Sequence, residues 1–448
     1  MTIAIACVLA CAVTWLTFGL LPARQAVLVV FLGGWLVLPV AVYPPESSDG
    51  VFPYWIVGLA LPSDLTLNKA WLVPTLATLG ALAFDRKTFL AWRPARSDAP
   101  IALWCLWPLG QALFVSAPQP GVLFSSVYLM ATWGLPWLLG RLYFSTTEAR
   151  WLLARSLAWA GIACLPFAVV EGLSGSSFYD WLYGEHPFRD DGSLRYLGFR
   201  PLGFFENGNQ YGVWVAVAAL AALWIAIADR GAVGRRLSMG VAVATLAIAL
   251  ASQSVGAIVL LGTALVLLGV NRWVPIRAFM VTAVAVMGLG GAIYLSGVVP
   301  VVKIAKETVV GRSIVDTFRG SFTWRIAQDQ KLLPDATQRP LVGQGRWDWW
   351  KDRQTRPWGL AMLVLGQFGG IGLTLFLSVL FAPLIAAFWR RPPASVWAMS
   401  SISVPLALMV AISAVDALLN AFLFFPALLI AGGLVVSRAT DAPAKAPS

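Results

Sequence analysis

Charge is scarce in this chain: Asp, Glu, Lys and Arg make up 12% of its 448 residues, against roughly 25% in a soluble globular protein. So few charges cannot clothe a water-facing surface of this size, which excludes a cytosolic enzyme, a disordered protein and a repeat solenoid. Histidine is scarcer still, and the one His, His186, excludes a His-rich metal cluster. The four cysteines (Cys7, Cys11, Cys105 and Cys164) all lie inside apolar runs, so neither a disulfide framework nor a thiolate metal site is expected. No Asp-x-Asp pair occurs in a polar connection; neither a metal nor any other cofactor is expected.

What is abundant is apolar: 59% of the residues are hydrophobic, and there are 22 Trp. Trp is favoured where acyl chain meets headgroup. Runs of the length a spanning helix needs, about 20 residues, occupy 2–20, 24–43, 69–84, 100–116, 121–140, 150–171, 208–228, 236–251, 253–270, 275–296, 358–386, 395–414 and 417–437. The first has no basic leader or small-residue cleavage site, so it reads as a span. Segment 51–62, bracketed by Pro53 and Pro62, is too short to cross and reads as re-entrant or interfacial. The expected fold is all-α, a polytopic membrane bundle of about 12–14 transmembrane helices. Residues 1–296 form its N-terminal bundle, 297–357 a long extracytoplasmic loop with short helices, and 358–448 the C-terminal helices and a short cytoplasmic tail.

The net charge of +11 sits where it argues for orientation rather than nucleic-acid binding. Arg86, Lys87, Arg93 and Arg96 share one short connection, and Arg141 and Arg150 flank another. Arg230, Arg235 and Arg236, then Arg272 and Arg277, then Arg390 and Arg391 mark three more. Short basic loops stay in the cytoplasm. The connections without Lys or Arg, 117–120, 251–254 and 415–416, then fall outside, with the longer stretches 172–207 and 297–357. Long loops are exempt from the rule. A membrane protein that gathers its polar and aromatic segments on one face is expected to work there.

Three constellations lie on that face. Gly198-Phe-Arg-Pro-Leu-Gly-Phe-Phe-Glu-Asn-Gly-Asn-Gln-Tyr-Gly212 leads into a span and puts Arg200, Asn207, Asn209 and Gln210 at its mouth. A helix N-terminus favours an anion, and Asn207 or Asn209 suits the N-cap. An interfacial loop whose Arg snorkels to headgroups is the structural alternative. Next, Ser321-Phe-Thr-Trp-Arg-Ile-Ala-Gln-Asp-Gln-Lys-Leu-Leu333 has Trp324, Ala327 and Leu332 at helical spacing, with Arg325 and Lys331 on the polar side. Further on, Gly343-Gln-Gly345 permits a tight turn with close backbone approach. An amphipathic surface helix and a plain turn would explain both. Last, Asp416 and Asn420 share a helical face at the 415–416 turn. An ionisable group near membrane depth is a functional candidate, or it caps a helix or pairs with a loop Arg. His186 reads as a solvated loop residue.

In sequence these pieces resemble the O-antigen ligase and O-antigen polymerase superfamily. The likeness rests on Arg-x-x-Gly-Phe-Phe-Glu-Asn-x-Asn-Gln opening a span, Ser252-Gln-Ser-Val-Gly-Ala257 between two spans, and Arg325 in the loop. It continues with Arg339-Pro-Leu-Val-Gly-Gln-Gly345 and with Gly359-Leu…Leu365-Gly-Gln-Phe-Gly-Gly-Ile-Gly-Leu373. The order is the family's, over residues 198–373. The resemblance implies a C-type, metal-independent glycosyltransferase on the periplasmic face of a bacterial inner membrane. Such enzymes move a glycan from a polyprenyl-diphosphate carrier to a glycan or lipid acceptor, among membrane lipids and other polysaccharide-assembly proteins. It assigns the diphosphate grip to Arg200 and Arg325, with Arg346 and Arg356 in reserve. The family's Ser-x-Ser-Arg position holds Val255. Its His before the Gly-x-x-Gly-Leu helix is missing from Gln354-Thr-Arg-Pro-Trp358. A carboxylate base is then needed, with Asp416, Asp352 and Glu206 as candidates, and the chain stands nearer exopolysaccharide polymerases than lipopolysaccharide ligases. The alternatives are a flippase for lipid-linked glycans and an inert assembly partner. A flippase calls for paired broken spans, whereas Pro136, Pro383 and Pro426 do not pair between halves.

Overall fold

A computed structural model of the chain describes residues 3–40, 67–116, 121–184, 186, 194–228, 232–270, 321–353, 355–389, 401–422 and 424–435, with scattered positions between 282 and 312. The expected segment 51–62 and most of the expected run 275–296 lie outside the described residues. Among the described residues helix predominates, and strand is confined to one antiparallel hairpin, Leu194–Arg195 against Gly198–Phe199. Five helices there are long and apolar enough to cross a membrane, with shorter apolar helices beside them. The protein is an all-α membrane protein.

Its principal helices are α1 (Ile3–Leu20), α2 (Ala23–Val37), α3 (Lys69–Phe84), α4 (Ala99–Gln111) and α5 (Val122–Tyr143). They continue with α6 (Thr147–Ser174), α7 (Gly208–Ala228), α8 (Ala232–Ala251) and α9 (Val255–Val270). After the polar stretch come α10 (Ser321–Ala336), α11 (Leu360–Trp389), α12 (Ser403–Leu419) and α13 (Pro426–Leu434).

A helix that is hydrophobic all round belongs in the middle of a bundle. That helix is α7: every residue from Val213 to Ala222 is buried, against α6, α8, α9 and α12. Peripheral helices keep apolar side chains outward, as with Leu9 and Leu16 on α1 and Val259 and Val266 on α9. In lipid no hydrophobic force draws such helices together, so close packing through small residues must. Gly140 and Gly432 supply it between α5 and α13. A Cβ at Gly140 would strike the backbone of Leu429 and Gly433, and one at Gly432 the backbone of Trp137 and Arg141.

One end of the bundle is tied by fixed polar contacts. Arg141 pairs with Asp98 at 3.4 Å. Arg150 donates to Gly433 O (2.9 Å) and Ser403 Oγ (3.1 Å), and Tyr143 to Asp85 (3.1 Å).

The other end is less regular. A π-turn at Phe167–Glu171 interrupts α6. Glu171 there accepts the N–H groups of Phe178 (2.7 Å), Leu202 (2.7 Å) and Gly203 (2.9 Å), fixing the loop before α7. Helix α11 breaks at Gly369, where φ is 71°. Irregular backbone at membrane depth persists only where its freed groups find partners, and residues 339–345 provide them. Gln344 N–H meets Gly366 O (2.8 Å) and Gly345 N–H meets Gln367 O (3.0 Å). In return Gly370 N–H meets Pro340 O (2.7 Å) and Ile371 N–H meets Leu341 O (3.1 Å). Gly343 and Gly345, at φ 74° and 68°, form the expected tight turn, and a Cβ at Gly343 would strike the backbone of Gln367. The stretch 297–357 therefore does more than cap the bundle, because part of it is inserted into a broken helix.

Candidate functional site

The start of α7 is a capped helix. Asn207 Oδ1 accepts from the N–H groups of Asn209 (2.9 Å) and Gln210 (3.0 Å), and Gln210 Oε1 accepts from Glu206 N–H (3.0 Å). Asn207 takes the N-cap, one of the two residues expected there, and Gln210 is engaged in the same cap at the helix mouth. Of Asn207, Asn209 and Gln210, Asn209 alone reaches the cavity beside it.

That cavity has a volume of about 290 Å³ and two kinds of wall. Arg195, Arg200, Asn209, Arg325, Asp416 and Asn420 form the polar side, and Val255, Gly256, Val259 and Leu260 of α9 form the apolar side. Arg200 is 3% exposed. Its Nε donates to Ser252 O (3.1 Å) and its Nη2 to Asn209 Oδ1 (2.8 Å). Asn209 Nδ2 donates in turn to Asn420 Oδ1 (3.3 Å), which also accepts from Arg325 Nη1. Asn420 Nδ2 donates to Asp416 Oδ1 (2.7 Å). Two guanidinium groups from separate parts of the chain are therefore linked through two amides, Asn209 and Asn420.

Burial lowers the Arg200 guanidinium to about 9, and the like charges of Arg195 and Arg325 add to that shift. Arg325 is lowered as well, by burial first. The carboxylates of Asp416 and Asp329 oppose the shift, and Arg195 and Arg356 reinforce it. Like charges crowded into a partly apolar space attract an anion.

Arg325 reaches the cavity because α10 is rotated from its apolar spacing: Leu332 is buried and Lys331 exposed as expected, but Trp324 is turned out. Ile326, Asp329 and Leu332 are buried, while Trp324 and Lys331 are exposed. Asp329, one turn after Arg325, accepts from Trp358 N–H (2.6 Å), Gly359 N–H (3.1 Å) and Tyr294 OH (2.5 Å). The first two are the open donors at the start of α11. Burial lifts the Asp329 carboxyl to about 6 against the pull of these donors.

Asp416 lies inside the last turn of α12 rather than in an interhelical turn, since that helix runs on to Leu419. The other candidates do not line the cavity. Asp352 is exposed on the turn Lys351–Arg353. Arg346 is exposed and bonded to Asp348 (3.1 Å). Arg356 lies over the Trp358 ring, 4.1 Å from its centroid. Glu206 is 2% exposed and its Oε1 has no hydrogen-bond partner. Burial pushes its carboxyl up to about 8, opposed by Arg356 and Lys69. Lys69 in turn is held by Trp35 O (3.1 Å) and Phe204 O (2.6 Å). His186 is buried rather than solvated, with Nε2 2.9 Å from Phe205 O.

Two residues of this end escaped sequence reasoning. Arg195 sits in Gly192-Ser-Leu-Arg-Tyr-Leu-Gly198, where glycines flanking a short apolar run are a hairpin signal. Asp329 follows Arg325 by four positions, the spacing of a helical ion pair. No known protein family, curated protein or solved structure matches the chain.

Proposed function

We propose that this protein is a membrane glycosyltransferase. It polymerises or ligates a glycan carried on polyprenyl diphosphate, transferring it to an acceptor hydroxyl at the extracytoplasmic face of a bacterial inner membrane. The observation that carries the reading is the meeting of Arg200 and Arg325 in a cavity whose opposite wall is the apolar side of α9. A prenyl diphosphate needs both walls, cations for its head and hydrocarbon for its tail.

In the reaction the bond from the anomeric carbon to the diphosphate breaks, and its electron pair leaves with the phosphate oxygen. The acceptor oxygen bonds to the carbon and gives up its proton. Negative charge therefore grows on the leaving group. Guanidinium forks match phosphate oxygens in pairs, and a fixed donor of this kind lowers the barrier by about 3–4 kcal/mol. Asp416, the carboxylate on the cavity wall, takes the acceptor proton. Its bond to Asn420 ties it to the amide that also accepts from Arg325. Arg→Lys at either position should also impair transfer, because Lys lacks the planar fork.

The test is to incubate purified protein with a polyprenyl-diphosphate oligosaccharide. Longer or transferred glycan together with freed carrier supports the reading. Intact carrier moved across a vesicle bilayer would support the transporter instead, and neither outcome would leave an assembly partner.

A further inference from the structure

The cavity holds a third guanidinium. Arg195 stands on the first strand of the hairpin, opposite Gly198, and lines the same space as Arg200 and Arg325. Its charge acts on both of them.

A two-stranded hairpin is marginal alone, and this one is pinned from outside. Gln253, in the turn between α8 and α9, accepts from Leu197 N–H at Oε1 (2.8 Å) and donates from Nε2 to Phe199 O (3.3 Å). Gln253 is also the non-glycine residue with a positive φ, 52°, among the described residues. Backbone strain of this kind persists where the surroundings impose it, and it gathers at functional sites. The same turn holds Arg200 through Ser252 O (3.1 Å). One short turn therefore sets the positions of two of the three cations. The residue that follows, Val255, also lines the cavity and is neutral.

Three guanidiniums line this one space, and a single phosphodiester would offer them one negative charge. A diphosphate diester carries a negative charge on each phosphoryl group, and cleavage adds another. Building on the glycosyltransferase reading, we propose that Arg195 holds the second phosphoryl group and so selects a diphosphate-linked carrier over a monophosphate-linked one. Arg200 and Arg325 grip the phosphoryl group that the two carriers share.

The test measures binding of polyprenyl diphosphate and polyprenyl monophosphate to the full chain in nanodiscs. Wild type binds the diphosphate more tightly. Arg195→Ala reduces that preference about tenfold, the effect of losing one charge-assisted hydrogen bond, and leaves monophosphate affinity unchanged. Val255→Arg in the Arg195→Ala background restores the preference, which a merely structural role for Arg195 would not allow. Full preference in Arg195→Ala overturns the inference, and so does an equal loss of both affinities. If wild type binds neither carrier, the glycosyltransferase reading falls and this inference with it, a result distinct from the other two.

Discussion

Both ends of the bundle bury arginines, and they use them differently. At one end Arg141 faces Asp98, and Arg150 faces Gly433 O and Ser403. Arg141 is answered by a carboxylate, and Arg150 by a backbone carbonyl and a hydroxyl from helices packed against it. At the other end Arg195, Arg200 and Arg325 face one another across a cavity, with the amides of Asn209 and Asn420 between them. Amides orient guanidiniums without neutralising them. Burial alone does not distinguish the two uses; the shared cavity does.

The sharpest way to break this comparison is to remove one arginine from each end. Arg200→Ala or Arg325→Ala should lower glycan transfer about a hundredfold or more, in protein that still inserts and accumulates. Arg141→Ala should leave carrier affinity intact. It strands the Asp98 carboxylate, and breaking a buried pair costs about 3–5 kcal/mol, read as a lower melting temperature in detergent. Equal effects on transfer from both ends would erase the distinction.

Asp416→Asn separates grip from chemistry within the cavity. Transfer should fall about a hundredfold, the usual contribution of a positioned base, while polyprenyl-diphosphate affinity stays near wild type. Unchanged turnover removes Asp416 from the mechanism.

A smaller effect is expected where α5 and α13 touch through glycine. Gly432→Val would push into the backbone of Trp137 and Arg141, and overpacking of this kind costs about 1–3 kcal/mol. Thermal unfolding reads that loss, with carrier binding unaffected.

A further effect depends on pH. The Glu206 carboxyl titrates near 8 in the folded chain, against an ordinary 4.5. Between those values the folded state holds a proton that the unfolded state has released, so stability falls as pH rises through that window. Glu206→Gln should match wild type at pH 4.5 and exceed it in melting temperature at pH 8. A gap that shrinks with rising pH would contradict the assignment.

Much of the frame was legible before any coordinate. Scarce charge and long apolar runs dictate membrane helices, Asn207 caps where polar residues open a span, and Gly343 and Gly345 turn where two glycines allow it. The orientation of α10 was not legible. Periodicity placed Trp324 inward and Arg325 outward, which is right for a helix lying on water. Here the neighbours are the polar ends of other helices, so Asp329 and Arg325 turn inward to meet α11 and Asn420. The break at Gly369 was hidden for a related reason. Its apolar run is continuous in sequence, and the partners that satisfy its freed backbone come from residues 339–345. Arg195 was passed over because its hairpin is two residues per strand, too short to leave a periodic pattern.

The central claim is that Arg200 and Arg325 together hold a departing diphosphate. A cryo-EM map of the protein in nanodiscs with bound polyprenyl diphosphate tests it most directly. Expected is phosphoryl density against the Arg200 and Arg325 guanidiniums, with the second phosphoryl group toward Arg195 and the prenyl chain along Val255, Val259 and Leu260. Carrier density elsewhere on the bundle, with that cavity empty, would contradict it.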